Sequence, residues 1–390
     1  MKVGIDRLSF RTSCYYLDLK TLAKARSVDP GKYYVGIGQE RMGIPPPDED
    51  VVTLAASATH RLAEAGDLDG VELLLYATES GVDQSKAAGI YVHGLLEMHP
   101  RCRVVELKQA CYAATAGLRL AADFVARRPE KKALVIAADV ARYELGSPGE
   151  ATQGCGAVAM LVTANPRLVA LDPEAGYHTE DVMDFWRPNY RSEALVDGKY
   201  STTVYIHALL ESWTRYAEQT GRTPADFDRF CYHVPFTRMA EKAHRKLLRK
   251  CGVSASEEET RAILEPALRY GRTAGNCYSA STYVGLASLL DAEELDLSGR
   301  RIGFYSYGSG CVGEFFSGVV QPGYRTALFA AAHRNMLDNR IELSYQQYED
   351  VYHYVVPTDG GEYVFPQYRT GPFRFSGISR HMRQYEALEK

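Results

Sequence analysis

Apolar positions along this chain fall into two recurring patterns. Short continuous runs read as strands covered on both faces, and longer segments of helical spacing lie between them. The runs are Glu72–Thr78 (ELLLYAT), Ala133–Ala138 and Ala157–Val162, with Val3-Gly4-Ile5 opening a first strand and Phe230–His233, Ile302–Tyr307 and Glu314–Val320 following later. Helical spacing covers Leu17–Ala25, Asp50–Ala65, Ser85–Met98 and Thr203–Glu218, and Asp29-Pro30-Gly31-Lys32 breaks the first of these. Tyr33–Met42 reads as a loop and turn. Residues 165–200 are irregular and read as an insertion near a functional site. The tail from Tyr324 is aromatic and polar, with no separate linker. Strands that alternate with helices throughout predict an α/β fold.

One stretch, Val104–Val125, organises the rest. A strand-like run ends at Lys108-Gln109-Ala110, Cys111 follows, and a segment of small and apolar residues continues. That segment is apolar on nearly every face and predicts a buried helix. Cys111 at its N-terminus would meet unpaired N–H groups and the helix dipole, which lower a thiol pKa toward 7 or below. A free cysteine is also an ordinary small core residue. Ala110-Cys111-Tyr112-Ala113-Ala114-Thr115 is echoed by Asn276-Cys277-Tyr278-Ser279-Ala280-Ser281, each ahead of a helix of small residues, and the echo suggests two duplicated halves.

Composition narrows the function. The 390 residues suffice for one large domain or two joined halves, and a net charge of −4 gives no basic surface for nucleic acid. MKVGIDRLSF lacks a signal-peptide core and no apolar run has membrane-spanning length, so a cytoplasmic protein is expected. The eight cysteines show no C-x-x-C pair or metal-ligand spacing, and no metal is expected.

Three reactive side chains stand at comparable places: Glu79 after a strand, Cys111 at a strand–helix turn, His233 at a strand end. A cysteine, a carboxylate and a histidine in one pocket would suit acyl transfer through a thioester. Glu79 reads equally as a solvated or capping carboxylate, and His233 as a core histidine. The helix after His233 carries Arg238, Lys242, His244, Arg245, Lys246, Arg249 and Lys250. It reads as a solvated face or, since seven basic residues exceed what such a face needs, as a phosphate-binding rim. Gly36-Ile37-Gly38-Gln39 and Tyr307-Gly308-Ser309-Gly310 lack the dinucleotide fingerprint and read as places where backbone approaches a ligand closely. Backbone N–H groups there or at Cys111 would suit a thioester oxyanion.

These residues, with VDPGKYYVGIGQERM (28–42), ATES (77–80), KQACYAATAGL (108–118), EATQGCGAVAM (150–160), DFWRP (184–188), LVDGKYS (195–201), YHVPFTRM (232–239), GNCYS (275–279), YSYGSG (305–310) and GEFFSG (313–318), closely resemble the hydroxymethylglutaryl-CoA synthase family of the thiolase superfamily. The resemblance runs nearly end to end. It implies a layered αβαβα fold of two pseudo-repeated halves, 1–165 with Glu79 and Cys111 and 166–390 with His233, Asn276 and Ser309. It implies a cytoplasmic homodimer of the mevalonate pathway of isoprenoid biosynthesis, with acetyl-CoA and acetoacetyl-CoA as substrates and no cofactor. Cys111 matches the nucleophile that takes the acetyl group, Glu79 the general acid/base, and His233 the residue that polarises the acetoacetyl-CoA carbonyl. Tyr143, Thr152, Ser201, Asn276 and Ser309 match contacts to the second substrate. Asp29, Arg238 and Lys242 match positions near the CoA moiety. Cys277 and Cys311, beside the Asn276 and Ser309 loops, depart from the small or apolar residues expected there and would make the enzyme oxidation-sensitive. Relatives that install β-branches on polyketides use the same Cys, His and Glu on acyl carrier protein, but the GIGQ and DPGK stretches look more like the CoA enzyme. A decarboxylating ketoacyl-synthase-III-like condensation, expecting Cys-His-Asn without Glu79, and a non-enzymatic scaffold are the other readings.

Overall fold

The computed structural model describes residues 1–388. Nine strands form one mixed sheet: β1 (Val3–Arg11), β2 (Val71–Ala77), β3 (Arg103–Leu107), β4 (Lys132–Ala141), β5 (Gly154–Ala164), β6 (Val169–Thr179), β7 (Arg229–Tyr232), β8 (Arg301–Gly308) and β9 (Val312–Val320). Their spatial order is β7-β8-β9-β6-β1-β5-β4-β2-β3. On one side of the centre β1, β5 and β4 pair antiparallel, and β2 joins β4 in parallel. On the other side β6, β9 and β8 pair antiparallel, and β7 joins β8 in parallel. The two arms therefore have the same plan, with β3 as an extra edge strand on the first. They meet where Gly4 and Ile5 pair with Ala170 and Val169.

The principal helices are α1 (Val51–Glu64), α2 (Ala88–Leu95), α3 (Ala113–Arg127), α4 (Gly198–Thr220), α5 (Arg238–Lys250), α6 (Glu257–Ala274) and α7 (Ser281–Leu290). Their ends follow local chemistry. The Asp50 side chain accepts from Val52 N and Thr53 N to start α1, and Gly221 at φ 68° ends α4. Alternation along the strands sets the layers. Leu75, Ala77, Val135 and Ala137 pack with α3 and α7, whereas Leu74, Tyr76, Leu134 and Ile136 pack with α1 and α2. In the second arm Phe304 and Phe316 join the α3–α7 layer, and Phe230, Tyr232, Tyr305 and Phe315 face α4 and α5. The two arms of the sheet act as two layers, giving the order helix, sheet, helix, sheet, helix, with α3 and α7 in the middle.

Several local expectations change. The irregular region 165–200 contains β6, a full strand that Pro173 and Gly176 disguise. Part of the 33–42 loop is a π-helical turn, Lys32–Ile37, followed by a short strand Arg41–Gly43. The helix after Cys111 is not buried all round: Ala114, Leu118, Ala121 and Val125 face the core, but Leu120 is 51% exposed. The tail adds a three-stranded sheet of its own, Tyr363–Val364, Phe373–Ser379 and Met382–Ala387.

Candidate active site

The site is built where three turns meet. The first follows β2, whose last residue, Ala77, is succeeded by Thr78-Glu79-Ser80. Asp139, fully buried on β4, holds that turn in place. Its Oδ1 accepts from Thr78 Oγ1 (2.9 Å), Glu79 N (2.9 Å), Ser80 N (3.0 Å) and Ser80 Oγ (2.8 Å). Its Oδ2 accepts from Ser279 N (3.0 Å) and Ser279 Oγ (2.5 Å), so one carboxylate ties the turn to the segment ahead of α7. A buried carboxylate needs such donors, and here they also fix Glu79.

The second turn carries Cys111, buried at 8% exposure. Its thiol donates to Glu79 Oε1 at 3.1 Å. Burial, and then the negative charge of Asp139, push the Glu79 carboxyl up to about 8. Burial, and then the Glu79 carboxylate, push the Cys111 thiol well above its ordinary value. The thiol therefore stands above its ordinary value, where its place ahead of a helix suggested a lowered one. Cys111 and Glu79 form a proton-sharing pair. Arg187 donates to the Glu79 carbonyl oxygen, and its positive charge partly offsets the rise at the carboxyl.

The third turn follows β7 and holds His233, 3% exposed. Its N–H donates to Tyr305 O (2.7 Å) and its carbonyl accepts from Tyr205 Oη (2.7 Å). Desolvation lowers the imidazole to about 3, so it is neutral, and its buried Nδ1 has no hydrogen-bond partner.

Cys111 and His233 line a cavity of about 410 Å³, with Tyr143, Thr152, Ser201, Asn276 and Ser309. Seven of the eleven expected positions thus share one space, and Glu79, outside its lining, contacts Cys111. Asn276 is oriented by Tyr278 N (2.9 Å) and Ser281 Oγ (3.2 Å), both donating to its Oδ1. Ser201 donates to Asp184 Oδ2 (2.9 Å), and Thr152 to Gly149 O (2.7 Å). Phe185, Tyr143 and Tyr278 form an aromatic wall, with ring centroids 5.8 to 6.4 Å apart. Sequence reasoning passed over Asp139 and Asp184. Asp184 is fully buried and also accepts from Tyr307 Oη (2.8 Å) and Gly310 N (2.9 Å), bracing the turn that carries Ser309. The available signal was DFWRP in a region otherwise without pattern.

Asp29, Arg238 and Lys242 are not among the residues lining the cavity. Asp29 accepts from Gly31 N (2.6 Å), stabilising its own turn. Arg238 donates to Val35 O (3.1 Å) and pairs with Glu241 (2.5 Å), joining the 32–38 turn to the start of α5. Lys242 lies over the ring of Phe236, a cavity residue, at 5.4 Å. The basic helix shrinks as a rim. His244 is 1% exposed against Tyr232 Oη (3.0 Å) and lowered by burial to about 4, while Arg245 pairs with Glu257 (2.8 Å). The remaining cations down α5 are an ordinary solvated face. The glycine turns also pack closely within the protein. A Cβ on Gly38 would lie 2.5 Å from Thr237 Oγ1, and one on Gly308 2.7 Å from Tyr112 N. Both close approaches are to protein, and the second seats the 307–310 turn against the Cys111 turn. Cys277 and Cys311, each 1% exposed, are sealed from solvent, against the expected oxidation sensitivity.

Residues 1–167 match the model of the hydroxymethylglutaryl-coenzyme A synthase N terminal region, and residues 169–250 and 244–355 that of the C terminal region. The chain is 42% identical over 387 residues to hydroxymethylglutaryl-CoA synthase of Enterococcus faecalis, covering 99% of this chain and 100% of the relative. It is 34% identical to the polyketide biosynthesis 3-hydroxy-3-methylglutaryl-ACP synthase PksG of Bacillus subtilis, covering 90% and 87%. A crystal structure of HMG-CoA synthase complexed with CoA superposes over all of both chains with a TM-score of 0.94 at 39% identity.

Proposed function

The chain belongs to the hydroxymethylglutaryl-CoA synthase family, and from that premise we propose that its cavity condenses acetyl-CoA with acetoacetyl-CoA to give 3-hydroxy-3-methylglutaryl-CoA and CoA. The observation that carries this reading is the 3.1 Å contact of the Glu79 carboxylate with Cys111, whose thiol lines one cavity with His233, Asn276 and Ser309.

The Cys111 sulfur attacks the thioester carbonyl of acetyl-CoA, and the CoA thiolate leaves with the proton that the thiol gives up. The resulting acetyl-Cys111 keeps its methyl protons acidic, because sulfur delocalises poorly into the carbonyl. Glu79, ionised after the thiol has gone, removes one of them. Its raised pKa makes it a base able to return a proton later in the cycle. Backbone N–H groups at Cys111 and the 307–310 turn hold the enolate oxygen. The enolate carbon attacks the C3 ketone of acetoacetyl-CoA. The neutral imidazole of His233 faces the developing alkoxide and polarises that ketone, and Asn276 and Ser309, with Tyr143, Thr152 and Ser201, position the acyl chain. The alkoxide takes up the proton that Glu79 removed, and water then cleaves the Cys111 thioester, freeing the thiol, a carboxylate and one proton. Thioester chemistry supplies the activation at every step, so the cycle calls for no cofactor.

We place Asp29, Arg238 and Lys242 beside the CoA moiety at the cavity's mouth. The α5 N-terminus and the 32–38 turn meet there, and N-terminal amides suit phosphate. The halves 1–165 and 166–390 each supply part of the site. A homodimer through β3 fits its position as an uncovered edge with Val105 47% exposed. The eight cysteines are all free, which suits the cytoplasm, and the product suits the mevalonate pathway. No described helix is long and apolar enough to cross a membrane.

Higher identity to the CoA enzyme than to the carrier-protein enzyme favours CoA thioesters. The test is steady-state kinetics with acetyl-CoA and acetyl-carrier protein as competing donors. A kcat/KM higher for acetyl-CoA by about tenfold or more is expected; the reverse preference overturns the assignment of donor.

A further inference from the structure

Away from the cavity, β6 and α4 bring together three side chains of metal-ligating type that the reaction does not use. His178 lies near the end of β6, and Glu180 follows two residues later on the same face. His207 faces them from the third turn of α4. One ligand-capable atom from each lies within 4.8 Å of the other two. The imidazoles of His178 and His207 stand edge to face with centroids 5.1 Å apart. His178 Nε2 is shielded from solvent, has no hydrogen-bond partner and lies 3.5 Å from Glu180 Oε2. A shielded ring nitrogen without a hydrogen-bond partner, beside a carboxylate and a second imidazole, is the feature that calls for an occupant.

Geometry and donor chemistry identify the class. Tetrahedral ligands at 2.0 to 2.1 Å from zinc lie about 3.3 Å from one another. The His178–Glu180 separation is close to that, and the outer two side chains are exposed and free to swing inward. Two imidazoles and one carboxylate suit a late first-row divalent ion such as zinc, whereas magnesium and calcium prefer an all-oxygen shell. The solvent side leaves room for a water as fourth ligand.

We propose that His178, Glu180 and His207 form a zinc-class divalent-cation site that staples the end of β6 to α4. Its position gives the staple a consequence. Glu180 exchanges backbone hydrogen bonds with Cys311, and Val182 N donates to Gly310 O (2.8 Å), so this segment supports the turn that carries Ser309. The stapled helix presents Ser201, Thr202 and Tyr205 to the cavity. Arg215, two turns further along, already ties α4 to Tyr177 O. A bound ion therefore stiffens two walls of the cavity from outside, independently of which thioester the cavity accepts.

The experiment uses the full chain, stripped with chelator and titrated with Zn²⁺ while its melting temperature is followed, and with Co²⁺ as an optical probe. Wild type is expected to bind one cobalt with ligand-field absorption and no thiolate charge-transfer band, and zinc is expected to raise its melting temperature. H178A and H207A each weaken binding by about tenfold or more and remove the thermal shift. H207A, an exposed position, guards against a folding defect at His178. Cobalt bound with thiolate charge transfer and unaffected by either substitution overturns the proposal, since the ion then sits on cysteine. So does the absence of any zinc-dependent shift in wild type.

Discussion

Cys111 and Cys277 occupy matching turns ahead of the two central helices, α3 and α7, within nearly the same local sequence. Burial pushes both thiols well above their ordinary value. Only their surroundings differ. Cys111 opens onto the cavity and donates to Glu79. Cys277 lies 3.6 Å from Gly275 O, under Gly156, where even a Cβ would come within 2.8 Å of its sulfur. Position at a helix N-terminus therefore does not distinguish a nucleophile from a core thiol. A carboxylate able to take its proton and space for an acyl group do. Asp139 bonds the Glu79 turn on one side and Ser279, two residues past Cys277, on the other, so the paired architecture builds one site and closes off the other.

The comparison can be broken in order of effect. Cys111→Ala should abolish the acetyl adduct and all turnover, read by mass spectrometry and CoA release. Glu79→Gln should still acquire the acetyl group, because losing the carboxylate relieves the charge that holds the thiol up. Condensation should fall by about 10²- to 10⁴-fold, the range for a lost general base. Alkylation of Cys111 against pH should shift to lower pH in that variant; a shift upward would remove Glu79 as the cause of the raised thiol. Cys277→Ala should leave turnover within about twofold and cost about 1 kcal/mol in denaturant unfolding, the loss of one small buried group.

The site's buried ionisable groups also imprint on stability. His233 is lowered to about 3 in the fold, against 6.5 when exposed. The unfolded chain therefore binds the extra proton first, and the stability from keeping the ring neutral is present above pH 6.5 and lost as pH falls toward 3. Glu79, raised to about 8 from 4.5, has the opposite sign: its contribution is present below pH 4.5 and lost as pH rises through 8. Melting curves of His233→Gln and Glu79→Gln should each lose their own slope; a wild-type slope in either variant contradicts the corresponding assignment.

Much of this was legible in the chain. Uniform apolar runs exposed the doubly covered strands, and the echo of Cys111 in Cys277 anticipated matching arms. Ordered motifs brought seven positions to one cavity. What escaped has physical reasons. β6 is broken in pattern by Asp172, Pro173 and Gly176, which local rules read as loop. Asp139 and Asp184 are carboxylates buried by partners distant in sequence, and nothing local marks them. The thiol's acidity was misjudged because a helix dipole is visible in sequence, while desolvation and a carboxylate 32 residues away are not. A scan of cysteine spacings was blind to His178, Glu180 and His207, split between a strand and a helix.

The central claim is that Cys111, and not its counterpart Cys277, carries the acyl group. Intact-mass and peptide-level spectrometry after mixing with acetyl-CoA alone, then after adding acetoacetyl-CoA, tests it directly. The account predicts one acetyl group on the Cys111 peptide that clears as hydroxymethylglutaryl-CoA appears. Acetyl on Cys277, or product formed by a protein whose Cys111 never acquires an adduct, would contradict it.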